Sequence, residues 1–298
     1  MGKKIINAFG FLTVFKIPAS IAMDEKEVSG SVLYFPLVGL MLGIFISFSF
    51  FVLNHFLPIL VTVLLVLILE VTLTGAAHLD GLADMFDGIF SGKRNKDKIL
   101  EIMKKSDVGV FGILSIVFLI ILKTALIYYL FLSSHSSYLS DYRGTFYFYA
   151  TLIFMPAFGR WSMNYLLASY KNARSGSSLT KIFTESKQRR KYFVISTIYL
   201  FIAFAIFTAG GWYLTTIFAG GVIPVSIIED TSFFTQLLPV LAGVFSVIVS
   251  AILSIIFLGW FFTRRIGGIT GDIIGGSSEI IEVIILLISY LVLNYLCY

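Results

Sequence analysis

Three aspartates punctuate the stretch His78-Leu79-Asp80-Gly81-Leu82-Ala83-Asp84-Met85-Phe86-Asp87-Gly88. Asp80, Asp84 and Asp87 fall at i, i+4 and i+7, which at about 100° per residue sets them at roughly 0°, 40° and −20° on one helix face. Carboxylates so close repel one another unless a cation or protons lie between them. Mg²⁺ suits such hard oxygen donors, commonly taking one or two carboxylates, several waters and substrate phosphates. The spacing therefore predicts that Asp80, Asp84 and Asp87 bind Mg²⁺, with Asp84, the middle one, also a catalytic candidate. Gly81, Ala83 and Gly88 would let a bulky phosphate-bearing ligand approach the backbone. The bland alternative is a solvated acidic face, or pairing with nearby lysines such as Lys104. It suits this place less well, because the motif abuts the apolar run 58–76. His78 lies about 160° from Asp80 on an ideal helix. It is read either as a general base or as a structural hydrogen-bonding group at the helix boundary.

A second stretch, Arg264-Arg265-Ile266-Gly267-Gly268-Ile269-Thr270-Gly271-Asp272-Ile273-Ile274-Gly275-Gly276-Ser277-Ser278-Glu279, is followed by Glu282. It predicts a glycine-rich loop whose backbone amides, around Gly268 and Gly271, cradle an anion where the last helix begins. Asp272, Glu279 and Glu282 are the acids available to complete a metal site, and Glu282 is also a substrate-binding candidate. The alternative is that acids in a first turn merely complement the helix dipole, with Ser277 or Ser278 as the cap. That accounts for Glu279 better than for Glu282. A third signal is Arg160, inside an apolar run, followed by Lys171-Asn172-Ala173-Arg174-Ser175-Gly176. Guanidinium groups grip phosphates bidentately, so Arg160 and Arg174, with Lys104, are candidates for binding substrate phosphate. Taken alone, such a basic loop looks the same as the ordinary bias of positive charge toward the cytoplasm.

The elements that must carry these residues follow from composition. Of 298 residues, 58% are hydrophobic and 13% charged, and 30 are Phe; mean hydropathy is +0.93. Soluble domains are about half apolar and a quarter charged, so the excess must face lipid. Seven runs are long enough to cross about 30 Å of hydrocarbon: 33–54, 58–76, 108–131, 146–168, 193–213, 237–262 and 279–297. The fifth stays apolar through 228, which leaves a re-entrant piece open. The expected architecture is all-α, a polytopic membrane helix bundle formed by 1–298 as one integral membrane domain. Of the 22 Lys and Arg residues, all but Lys123, Arg143 and Arg160 lie in 1–32, 77–107, 169–192 and 263–278. Seven crossings place these four segments on one side, and positive residues collect in the cytoplasm. The N-terminus is thus expected inside, with loops 77–107, 169–192 and 263–278 forming a cytoplasmic-side active site. Lys123, Arg160 and Glu70 fall within membrane runs, where charge is costly and turns to a bundle interior or a wet cavity.

Other features recede. The net charge of +5 would suggest nucleic acid in a soluble protein; here it reports topology, and no nucleic-acid partner is expected. Cys297 is the single cysteine, so no disulfide forms within the chain. Residues 5–15 read as an interfacial helix, not a cleavable signal, because Lys16 and Pro18 follow in place of a small-residue cleavage site. Ile6 stands where a myristoylation motif needs Ser or Thr after Gly2. His55 and His135 lie in outer loops and are read as incidental.

Taken together, these motifs resemble the adenosylcobinamide-GDP ribazoletransferase (cobalamin synthase) family. The resemblance rests on His78 through Asp84 with Asp87-Gly88, then Leu100-Glu101-Ile102-Met103-Lys104, Gly109, Phe111-Gly112, Lys123, Arg160 and Ala173-Arg174. It continues through Gly267-Gly268, Gly271-Asp272, Glu279 and Glu282, and includes Phe35-Pro36-Leu37-Val38-Gly39 near the start. It implies a multipass, Mg²⁺-dependent enzyme of the prokaryotic cell membrane. A ribose hydroxyl of α-ribazole or its 5′-phosphate attacks the aminopropanol-linked phosphorus of adenosylcobinamide-GDP, and GMP leaves. Departures from the family pattern are Lys105-Ser106-Asp107 where Asp-Ser-Arg is common, Met85-Phe86 where small residues follow the second aspartate, and fewer glycines after Arg174. Two rival readings remain. A CDP-alcohol phosphotransferase also uses metal-bound carboxylates, but needs Ala-Arg soon after Asp-Gly; Leu82-Ala83-Asp84 follows Asp80-Gly81 instead. A transporter should show paired repeats and midplane polar groups, whereas no repeat is evident and the acids cluster at one membrane edge.

Overall fold

The computed structural model describes residues 2–16, 25–105, 107–135, 142–174, 179–220 and 233–295. Pro18, Ser106, residues 175–178, the apolar continuation 221–228 and Cys297 lie outside them. Among the described residues the chain is almost wholly helical: α1 (Gly2–Leu12), α2 (Glu25–Ser31), a 3₁₀ turn (Val32–Tyr34), α3 (Phe35–Asn54), α4 (Ile59–Thr74), α5 (Ala77–Phe90) and α6 (Lys96–Ile102). Then come α7 (Val110–Ser134), α8 (Tyr142–Ser169), α9 (Leu179–Glu185), α10 (Arg189–Gly220), α11 (Phe233–Ile266) and α12 (Gly271–Tyr295). Each expected apolar run lies largely on one of these helices. Large apolar side chains such as Phe48, Phe51, Ile68, Phe118, Ile121 and Phe257 are exposed along them, which suits a lipid-facing exterior with every backbone group satisfied inside its own helix.

Among the described residues five helices are long and apolar enough to cross a membrane, and the bent pair α4–α5 brings the number to six if it is one span. The difference from seven is α8. It carries Arg160, Ser162 and Asn164, all fully buried, and packs against α3, α10 and α12. A helix enclosed by other helices need not be apolar all round, which is why α8 falls outside a count made by hydropathy. Close approach of α3 to α8 is possible because Gly39 faces the backbone of Pro156 and Ala157, and Gly43 that of Ile153. Small residues four apart allow helix backbones to touch in this way. The N-terminal helix α1 buries Ala8 and Leu12 and stacks Phe11 on Phe35, ring centroids 5.4 Å apart.

Between α4 and α5 the chain turns through 88°. Two consecutive residues make the turn from the left-handed region, Gly75 at φ 63° and Ala76 at φ 57°. Glycine adopts this freely; alanine pays for its Cβ with strain. The bend sets α5, with the acidic motif, nearly perpendicular to α4. Ala76→Gly should raise stability by about 1 kcal/mol, and Ala76→Val should lower it by at least as much. Thermal unfolding in detergent reads both; identical melting of all three proteins would show that the bend holds no strain.

Candidate active site

The acidic motif meets the glycine-rich stretch along a contact of two helices. Helix α12 begins at Gly271, eight residues ahead of the expected start at 279. The glycines of 271–278 are therefore helical, and their use differs from the anion-cradling loop anticipated for them. A Cβ on Gly276 would stand 2.9 Å from Leu82 Cα, one on Gly275 3.3 Å from His78 Cα, and one on Gly81 2.8 Å from the Asp272 carbonyl. Each glycine removes bulk where α5 and α12 touch, and this tertiary contact outweighs the low helix propensity of glycine. Thr270 starts the helix, its Oγ1 accepting from Ile273 N at 3.3 Å. Nothing in the sequence reading singled out Thr270, although a threonine ahead of Gly-Asp is an ordinary capping signal.

Asp272 thereby comes to lie beside the aspartates of α5. Asp84 is half-buried and Asp80 exposed. Burial, followed by the carboxylates of Asp272 and Asp80, pushes the Asp84 carboxyl up to about 6, with Arg174 opposing the rise and Asp87 adding a little. Arg174 Nη2 donates to Asp272 Oδ2 at 2.6 Å and reaches the Met103 carbonyl at 3.4 Å. Thr270 Oγ1 donates to the same Asp272 oxygen at 3.3 Å. The segment that carries Arg174 is tied to the start of α12 by a two-bond bridge. Ile269 N donates to the Lys171 carbonyl at 2.9 Å, and Ala173 N to the Ile269 carbonyl at 2.8 Å. Gly268 lets this bridge close, since a Cβ there would collide with the Lys171 carbonyl. Segments 77–107, 169–174 and 263–278 thus meet around Asp84, Asp272 and Arg174. Gly271 sits at the first turn of α12, and Lys104 is exposed on the turn after α6.

Asp87, grouped by spacing with Asp80 and Asp84, has another occupation. Its Oδ2 accepts from Gly109 N at 2.6 Å and its Oδ1 from Gly112 N at 2.8 Å. Gly109 is the N-cap residue of α7, so the carboxylate satisfies amides that a helix start leaves unpaired. The signal was present as Gly109 and Phe111-Gly112 at a helix start, but nothing local joins them to Asp87.

Glu279, Glu282, Arg160 and His78 lie deeper and form a different assembly. Lys123 Nζ donates to Glu282 at 2.5 Å, Glu279 at 2.8 Å and Glu70 at 3.4 Å. Arg160 Nη1 donates to the other Glu282 oxygen, and its Nη2 lies 3.3 Å from His78 Nδ1. His78 Nδ1 is in turn 3.8 Å from Glu279. All six residues are buried. The network joins α4, α5, α7, α8 and α12. Arg160 and Glu282 are buried and paired with each other, and Glu279 is paired with Lys123. His78 points its Nδ1 lone pair at a guanidinium, the structural alternative of its two readings. A cavity of about 20 Å³ beside Glu70 and Lys123 has room for one water, and Glu70 Oε1 has no hydrogen-bond partner among the described residues.

Among the described residues no three His, Cys, Asp or Glu side chains converge closely enough to hold a metal by themselves. A cation that takes only one or two carboxylates and completes its shell with water and phosphate matches the acids at Asp84, Asp80 and Asp272. Two outcomes separate the roles. Asp87→Ala should destabilise the protein by about 1–2 kcal/mol through loss of the α7 cap, whereas Asp84→Asn, which removes repulsion, should leave melting unchanged or raise it. Lys123→Met should cost about 3–5 kcal/mol, because buried carboxylates lose their partner, and adding Glu282→Gln should recover part of that. Thermal melts of detergent-solubilised variants test each; a Lys123→Met protein as stable as the parent would show that the network contributes nothing.

Comparison with known proteins addresses identity. Residues 4–290 match the model of a family described as cobalamin-5-phosphate synthase. A protein of Desulfitobacterium hafniense named adenosylcobinamide-GDP ribazoletransferase is 32% identical over 286 residues, covering 96% of this chain and 95% of its own. Proteins of the same name from Caldanaerobacter subterraneus and a Thermoanaerobacter species are each 30% identical, covering 95% and 94% of both chains respectively. No solved structure matches the chain. A match of this extent, on a helical bundle whose edge gathers the acidic motif, Asp272 and Arg174, makes this chain a member of the cobalamin-5-phosphate synthase family.

Proposed function

We propose that this chain is an adenosylcobinamide-GDP ribazoletransferase, a membrane enzyme that closes the nucleotide loop of cobalamin. The donor is adenosylcobinamide-GDP, and the acceptor is α-ribazole or its 5′-phosphate. The acceptor's ribose hydroxyl oxygen bonds to the aminopropanol-linked phosphorus. The bond from that phosphorus to the bridging oxygen breaks, and GMP leaves with the electron pair. The observation that carries the reading is the meeting of Asp84 with Asp272 and Asp80, under electrostatic strain, beside the guanidinium of Arg174.

Each residue has a task in this reading. Asp80, Asp84 and Asp272 would hold Mg²⁺, which when bound would neutralise charge on the diphosphate. Asp84 keeps one oxygen to accept the proton of the attacking hydroxyl. Arg174 orients a phosphate oxygen through the donors that its pair with Asp272 leaves spare. Gly81, Gly275 and Gly276 set the separation of the two acidic helices. Asp87 fixes α7 against α5, and the Lys123–Arg160 network fixes α5 against α12; both are positioning elements. The clustering of basic residues supports a cytoplasmic position for this edge of the bundle, with the N-terminus inside and α8 as one of seven crossings.

The test is GMP release from adenosylcobinamide-GDP by purified protein in detergent, as a function of Mg²⁺ concentration. Asp80→Asn, Asp84→Asn and Asp272→Asn should each reduce the rate, Asp84→Asn by about 10²–10³-fold, the scale for removing a group that stabilises transition-state charge. The metal requirement should shift upward, with partial recovery at high Mg²⁺ or with Mn²⁺. Three well-inserted variants with the parent's rate and metal dependence would remove these acids from the mechanism.

A further inference from the structure

The buried network contains one more carboxyl group than cations. Glu70, Glu279 and Glu282 face Lys123 and Arg160, and all five are buried. His78 does not make up the difference. Its Nδ1 lies 3.3 Å from Arg160 Nη2, and a guanidinium only donates, so that nitrogen carries no proton and the ring is neutral. A net charge buried among helices is costly. We propose that Glu70 is a proton-binding site, its side chain a neutral carboxylic acid that leaves the interior without net charge.

The geometry singles out Glu70 from the other two. Lys123 Nζ is 2.5 Å from Glu282 and 2.8 Å from Glu279, the lengths of charge-assisted bonds, but 3.4 Å from Glu70 Oε2. Glu282 also receives Arg160 on its other oxygen. Glu279 and Glu282 therefore match the two cations, and Glu70 is left over. Its Oε1 is buried without a hydrogen-bond partner among the described residues, and the side chain lines the cavity of about 20 Å³. An ionised oxygen there would want a donor, whereas a carboxylic acid hydroxyl can donate to a water of the size that fits. Oε2 then serves as the carbonyl oxygen that accepts weakly from Lys123. A metal ion suits the cavity less well. Hard cations take six or more oxygens, but Lys123 forms part of this wall, and apart from Glu70, Thr74 and Glu279 the rest is aliphatic. Thr74 Oγ1 is already turned to the carbonyls of Glu70 at 3.0 Å and Val71 at 3.2 Å.

No other group on the helices packed against α4 competes for this role. Helix α7 contributes Lys123 and α5 contributes His78, while α3 carries no acid, base or histidine. Loss of the proton would set an uncompensated negative charge beside Glu279 and Glu282 on α12, the helix that also carries Asp272. Glu70 is thus a positioning residue. The inference does not depend on which reaction the acidic edge performs.

The test is the infrared spectrum of the full-length protein in detergent, made with isotope-labelled glutamate so that aspartates do not interfere. A protonated carboxyl has a carbonyl stretch that carboxylates lack. At about pH 7 exposed glutamates are ionised, so the parent should show a labelled carboxylic acid band, and Glu70→Gln, neutral and of the same shape, should remove it. The folded chain keeps a proton that the unfolded chain releases. Between about pH 6 and pH 8 the parent should therefore lose stability with rising pH relative to Glu70→Gln, by about tenfold in the unfolding equilibrium per pH unit. Absence of the band, or a band that survives Glu70→Gln, overturns the proposal. So does failure of Glu70→Gln to fold, since the ionised form would then be the one required. Stability that depends on Na⁺ at constant ionic strength, with no acid band, would assign the charge to a metal ion and overturn it as well.

Discussion

Burial of charge in a membrane bundle is the constraint on which the rest of this structure depends. Lys123 and Arg160 are buried, so each needs carboxylates close by, and Glu70, Glu279 and Glu282 supply them. Because the partners come from α4, α7, α8 and α12, satisfying the charges fixes the mutual placement of those helices. Such a network adds little stability compared with an apolar core of equal volume. It is unforgiving of displacement, however, since a helix that slides by one turn strands a charge. Rigidity of that kind is useful a short distance away, where carboxylates on two different helices must hold a fixed separation.

The second determinant is the absence of side chains. Gly81, Gly275 and Gly276 bring α5 and α12 into near backbone contact, and Gly39 and Gly43 do the same for α3 and α8. Where helices lack a hydrophobic drive to associate, close van der Waals contact takes its place. The left-handed pair Gly75-Ala76 then turns α5 away from α4, delivering the acidic face to the edge of the bundle. Packing and chemistry are therefore coupled: the residues that let helices touch are interleaved with those that carry charge.

Much of this was legible in the chain. Apolar runs are a strong signal because the bilayer sets their length, and the helices α3, α4, α7, α8, α10, α11 and α12 fall on them. The acidic motif was legible as one helix face because three-, four- and seven-residue spacing needs only local geometry. What spacing cannot reveal is which partner a side chain finds. Asp87 shares a face with Asp80 and Asp84 yet turns to the amides of Gly109 and Gly112, more than 20 residues later. Glu279 and Glu282 were read as candidate ligands from their place after the glycines, and spacing gave no sign that they pair with Lys123 and Arg160. The glycine-rich stretch suggested a loop by composition, and only contact with α5 shows why it is helical. Polar α8 shows a converse weakness, since hydropathy measures affinity for lipid and this helix meets almost none.

The order in which the network's members leave the ribosome has a consequence for biogenesis. Arg160 precedes Glu282 by 122 residues, and Lys123 precedes Glu279 and Glu282 by 156 and 159. At about 5–20 residues per second of synthesis, both cations wait on the order of ten seconds with Glu70 as the one carboxylate of the set already made. The nascent bundle is thus electrically incomplete until its final helix arrives. Insertion of α12 supplies the carboxylates of Glu279 and Glu282, so a chain interrupted before that point would hold two buried cations with Glu70 as their one counterion in the set. Quality-control proteases that recognise polar groups exposed within the bilayer could distinguish such a chain from one in which α12 has joined the bundle.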